Sequence, residues 1–91
     1  MSQFALPDSI TVSNASQTLQ AGLAALQGGT QEFDCAPLQQ LDSAAVATLL
    51  AWLRAARTQG RQLTFLNLPP NLLALIQMYG VESLILPQVR H

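Results

Sequence analysis

LDSAAVATLLAWLRAARTQGRQLTFL, residues 41–66, contains a complete passage from a capped helix into a strand. Val46, Leu49, Leu50, Leu53 and Ala56 recur at i, i+3, i+4, i+7 and i+10, so one apolar stripe predicts an amphipathic helix over residues 43–59. Asp42 and Ser43 stand at its start, where both residue types satisfy first-turn N–H groups. At the other end, Arg54 and Arg57 suit the negative pole of the helix dipole, and Gly60 suits a left-handed C′ position. Leu63-Thr64-Phe65-Leu66 then reads as a strand apolar on both faces, the pattern of a central strand covered by helices.

Working towards the N-terminus, Gln31 to Ala36 reads as a strand through Phe33 and Cys35, stopped by Pro37. Before it, Leu19, Leu23 and Leu26 mark a helix that Gly28-Gly29 ends, and the β-branched Ser9-Ile10-Thr11-Val12 marks a strand followed by turn residues Asn14 to Ser16. Phe4-Ala5-Leu6 adds an N-terminal edge strand. Towards the C-terminus, Pro69-Pro70 opens a third helix whose Leu72, Leu75, Ile76 and Tyr79 share a face until Gly80, and Leu84-Ile85-Leu86 reads as a last strand cut off by Pro87. Strands on both sides of a helix imply a parallel, right-handed crossover. The expectation is an α/β fold, one domain over residues 1–91, with a small mixed β-sheet of about four or five strands and helices packed against it. No repeat, low-complexity segment or linker divides it.

Composition narrows the function. A chain of 91 residues, 49% hydrophobic, supports a real but marginal core. A net charge of −1 and the absence of lysine leave no basic footprint for nucleic acid. Charge is nevertheless uneven: Asp8, Glu32, Asp34 and Asp42 precede the central helix, whereas Arg54, Arg57 and Arg61 lie along or just beyond its second half, predicting one acidic and one basic end. The first residues lack a basic, apolar leader pattern, and the nearly apolar run 44–53 is about half of what a bilayer span needs. A soluble protein without membrane insertion is expected, and the single cysteine, Cys35, fits a reducing, cytoplasmic setting.

Catalytic and metal chemistry are hard to assemble. The sole histidine is His91, no base stands beside a nucleophile, and neither ligand spacing nor a phosphate-binding glycine loop occurs, so no catalytic residue, metal site or cofactor is expected. Cys35 reads as a buried structural thiol. Trp52, off the leucine stripe, reads as covering a second core edge, with an exposed partner anchor as the alternative. Arg54 and Arg57 read most simply as a solvated face. On local chemistry alone, Asp42-Ser43-Ala44-Ala45 serves equally as a plain cap and as a docking point, since the small residues leave the backbone open to a partner.

From Phe33 to Pro87 the chain resembles the STAS domain family, and within it the small STAS subunits of Mla-type phospholipid ABC transporters. The resemblance rests on the strand Phe33-Asp34-Cys35, on Leu41-Asp42-Ser43-Ala44-Ala45 opening a long helix, on Gln59-Gly60, on the strand Leu63 to Leu66, and on Leu75-Ile76-Gln77-Met78-Tyr79-Gly80 with Leu84 to Pro87. It implies a STAS-like fold and a non-enzymatic, cytoplasmic subunit, peripheral to the inner membrane through its complex, that binds and supports the transporter's ATPase through Asp42, Ser43, Ala44 and Ala45. The anti-sigma factor antagonist branch carries Asp-Ser-Ser-Gly, whose second serine is phosphorylated by a partner kinase. Ala44 occupies that position here, which leaves Ser43 as the nearby phospho-acceptor. The transporter branch carries Asp-Thr-Gly-Gly, and Ser43 matches its threonine hydroxyl for hydroxyl. The family's Gly-Glu-Leu-Asp-like turn is Ser13-Asn14-Ala15-Ser16 here, a departure from the relatives that bind nucleotide. The alternatives are thus an anti-sigma factor antagonist with a kinase partner, and a small-ligand or nucleotide-binding module.

Overall fold

In a computed structural model, which describes residues 3–90, the chain forms β1 (Phe4–Ala5), β2 (Ser9–Ile10), α1 (Ala15–Gln27), β3 (Glu32–Asp34), β4 (Gln40–Leu41), α2 (Ser43–Thr58), β5 (Thr64–Leu66), α3 (Pro70–Met78), α4 (Glu82–Ile85), a 3₁₀ turn (Leu86–Gln88) and β6 (Val89–Arg90). The main sheet has the order β1-β3-β5-β6, and β2 pairs with β4 in a separate two-stranded ladder. The α/β architecture agrees with the sequence reading, with parallel ladders throughout the described residues. β5 is internal, as its apolar composition requires.

Register explains the core. Phe4 lies opposite Phe33, Phe33 opposite Phe65, and Phe65 opposite Val89, so one row of large apolar side chains crosses the sheet. Trp52 of α2 sits on this row, edge-on to Phe33 with ring centroids 5.0 Å apart and edge-on to Phe4 at 5.8 Å. Its Nε1–H donates to the Leu19 carbonyl of α1 at 3.0 Å, which satisfies the only polar atom of a fully buried ring. Trp52 is therefore core. The opposite sheet face holds half-buried Glu32, Asp34 and Thr64 with Leu66, and Glu32 pairs with Arg90 across it. The apolar cover expected on both faces of Leu63 to Leu66 is complete on the Phe65 face, whereas on the other Leu66 is buried beside half-buried Thr64 and the polar Glu32 and Asp34.

Local signals set the helix ends. Asp42 caps α2, and Gly60 after it and Gly80 after α3 take the left-handed conformation with φ of 68° and 69°. Four expectations are corrected. On α2 the buried line is Ala45, Leu49, Trp52 and Ala56 with Val46 beside it, while Leu50 and Leu53 are only half-buried. The small alanines let the helix approach closely, and that rotates the stripe away from the leucines. Residues 84–86 are not a strand: Val81 accepts N–H bonds from Leu84 and Ile85, opening α4, and the strand beside β5 is Val89–Arg90 instead. A three-residue aliphatic run has no periodicity to distinguish the two states. The strand at Ser9 stops at Ile10, because Asn14 closes a turn on it, accepting from the Thr11 N–H at 2.9 Å and donating to the Ser9 carbonyl at 2.8 Å. Tyr79, expected on the buried face of α3, is half exposed at the helix end, where Leu72 and Ile76 carry the burial.

Candidate functional site

The site is built where β4 passes into α2. Asp42 has extended backbone angles and uses both carboxylate oxygens internally: Oδ1 accepts from the Ala44 N–H at 2.8 Å, and Oδ2 accepts from the Val12 N–H at 3.2 Å. It caps its helix and also pins the β2–α1 turn beside it. The parallel β2–β4 ladder, with Ile10 opposite Leu41, sets the distance between these two segments.

The four residues singled out in the sequence therefore take different places. Ser43 is exposed, and its hydroxyl makes no hydrogen bond among the described residues. Ala44 is half-buried with its N–H held by Asp42. Ala45 is fully buried and packs inward, so it presents no surface. Asp42 is half-buried and engaged on both oxygens. Of this group Ser43 is the most exposed and Ala45 alone is fully closed to contact.

Near the start of α2 lie exposed residues that sequence reasoning missed. Four large apolar side chains are prominently exposed among the described residues: Val12 (79%), Met78 (68%), Leu84 (55%) and Tyr79 (50%). Three of them surround the start of α2. Val12 is tied to Asp42, Tyr79 lines a groove of about 390 Å³ together with Ser43, Val46 and Leu50, and Met78 lines another of about 670 Å³ with Thr11, Leu41 and Leu75. Leu41 and Ser43 thus face different grooves with Asp42 between them. Scattered exposed apolar residues are ordinary, but aliphatic, thioether and aromatic side chains exposed on two grooves either side of Asp42 have the composition of a protein interface. The signal in the sequence was Val12 itself, an apolar residue among the turn formers Thr11, Ser13 and Asn14.

Away from this face, Cys35 is fully buried, and burial first, then the Asp34 charge, pushes its thiol up to about 12. That makes it inert as a nucleophile. Among the described residues no helix is long and apolar enough to cross a membrane.

Compared with models of protein families, residues 2–87 match the one described as the Mlab STAS domain. No curated protein matches the chain.

Proposed function

The chain belongs to the Mlab STAS domain family, and on that premise we propose that it is a non-enzymatic docking subunit of the ATPase in a phospholipid-transporting ABC complex. The observation that carries the reading is exposed Ser43 beside exposed Tyr79 in one apolar groove, with exposed Val12 held to the adjacent Asp42 and exposed Met78 in a second groove beside Leu41. Docking there removes apolar surface from water, and the Ser43 hydroxyl supplies a polar contact at the centre. Asp42 contributes indirectly, by holding Val12 and the helix start in one fixed arrangement. Binding that favours one state of the ATPase over another shifts its assembly or its nucleotide cycle by that difference in affinity. The STAS domain then needs no chemistry of its own.

Affinity capture from the native cell tests the partner: an ATPase recovered with permease and substrate-binding subunits is expected, and a serine kinase of the anti-sigma type in its place would overturn the assignment. Ala44 disfavours that second reading, because a methyl group accepts no phosphate. Calorimetry tests the surface. Ser43→Arg places bulk and positive charge at a helix N-terminus and should weaken ATPase binding by about 2 kcal/mol with an unchanged thermal melt. Native affinity in the folded variant would refute docking at Ser43.

A further inference from the structure

A second surface lies along the later turns of α2. Arg57, Arg61, Leu53, Leu63 and Leu84 line a cleft of about 330 Å³, and Arg54, Arg57, Leu53 and Leu84 line an adjoining one of about 190 Å³. The two share Leu53, Arg57 and Leu84, so they form one trough between α2 and α4. Ser43 and Arg57 are separated by about 20 Å along the helix axis, at 1.5 Å per residue.

Three of the chain's four cationic side chains meet here, and among the described residues none of the three makes an ion pair. The helix dipole accounts for one of them only, since Arg57 alone is basic in the last turn of α2. Arg54 precedes that turn, and Arg61 follows Gly60, with its Nη1 placed 3.8 Å from where a methyl on Gly29 would stand. Like charges three residues apart on a helix repel each other. A cluster kept without a counter-charge is relieved by an anionic partner. The cluster is also apolar at its floor, and Leu84 in its wall is 55% exposed.

From this juxtaposition we propose that the trough between α2 and α4 binds an acidic, amphipathic segment of a protein, with carboxylates on Arg54, Arg57 and Arg61 and an aliphatic side chain against Leu53 and Leu84. Arginine forks match carboxylates two bonds at a time, and arginine beside exposed leucine is interface composition. The chemistry disfavours other occupants. A free inorganic anion would leave Leu84 in water. A lipid surface calls for a cluster of about four to eight basic residues, and a nucleic acid calls for a broader basic footprint than three arginines in a chain without lysine.

A phage library of random short peptides, panned against the whole protein, tests this independently of what docks at Ser43. Enriched sequences should place Asp or Glu close to Leu, Ile or Phe. A synthetic peptide of the commonest sequence should lose roughly tenfold in affinity with Arg57→Glu, and also at high salt. Arg57→Gln, which keeps the stem and the helix propensity, should show the same direction, with thermal melts verifying the fold, and Leu84→Ser should weaken binding without changing its salt dependence. Enrichment without acidic residues, or an affinity indifferent to both Arg57 variants, would overturn the proposal. So would Arg57-dependent binding to phosphatidylglycerol vesicles together with no selected peptide, which would make the trough a lipid contact.

Discussion

Gly22→Ala is the sharpest test of how α1 is held to the sheet. Gly22 is buried on the inner face of α1, and a methyl built there would lie 2.3 Å from both Nε1 and Cε2 of Trp52. In an open helix the same change would stabilise by about 1 kcal/mol through helix propensity alone. Here the indole cannot retreat freely, since Phe33 and Phe4 stand edge-on to it at 5.0 and 5.8 Å. Forcing a methyl into a packed core costs about 1–3 kcal/mol. If the ring yields, its bond to the Leu19 carbonyl breaks and leaves buried polar groups unpaired, for a further ~1–3 kcal/mol. The net expectation is a destabilisation of about 3 kcal/mol, or a melting point lowered by roughly 12–24 °C in a chain of this size. Urea unfolding followed by the fluorescence of Trp52, the only tryptophan, reads the change at the site itself. Gly28→Ala is the control: φ is −78° and the nearest neighbours of an added methyl are 3.5 and 3.6 Å away, so it should be neutral or slightly stabilising. A Gly22→Ala protein as stable as the parent would refute the close approach of α1 to Trp52.

Three further outcomes follow from the packing and the ionisable groups. Leu49→Ala, at a fully buried position, should cost about 2–5 kcal/mol in urea unfolding, and Leu50→Ala, half-buried, clearly less; equal losses would restore the leucine stripe as the inner face. Hydrogen bonds from Gln3 and Arg90 hold the Glu32 carboxyl below its ordinary 4.5, so its contribution is present above that value and lost as pH falls through the lowered one. Acid titration of Glu32→Gln should therefore show a shallower loss of stability on that side than the parent. Cys35, raised to about 12, contributes stability below the ordinary thiol value of 9.0 that is lost as pH rises above it, and Cys35→Ala should lessen the alkaline loss. At neutral pH its thiol should react with a disulfide reagent only on unfolding, and rapid labelling of the native protein would contradict its burial.

The parts of the fold legible in the sequence are those decided within a few residues. The cap at Asp42, the left-handed glycines at Gly60 and Gly80, and the prolines opening α3 each act on the neighbouring turn. Strand pairing is different in kind. The alignment of Phe4, Phe33, Phe65 and Val89 joins segments dozens of residues apart, and nothing local announces it. The position of α2 on that row was misjudged for a related reason. A hydrophobic stripe weights leucine over alanine, but close approach to a sheet favours the smaller residue, so Ala45 and Ala56 turned inward with Leu49 and Trp52.

The same division runs through the candidate site. Asp42 and Ser43 were readable because a capping residue and the residue after it have one geometry wherever a helix begins. The surface around them was not, because its three apolar members come from separate segments: Val12 from a turn, Met78 and Tyr79 from the end of α3. Met78 and Tyr79 are unremarkable in their own stretch of sequence, and only Val12, apolar among turn formers, carried a local signal. Val12 is brought beside the start of α2 by two devices that only the folded chain possesses, the parallel β2–β4 ladder and the second oxygen of Asp42 reaching the Val12 N–H. One carboxylate thus performs two tasks, closing a helix and fixing a turn beside it. Losing it should therefore cost more at the proposed docking face than the cap alone explains, since Val12 would be released while Ser43 kept its place on α2.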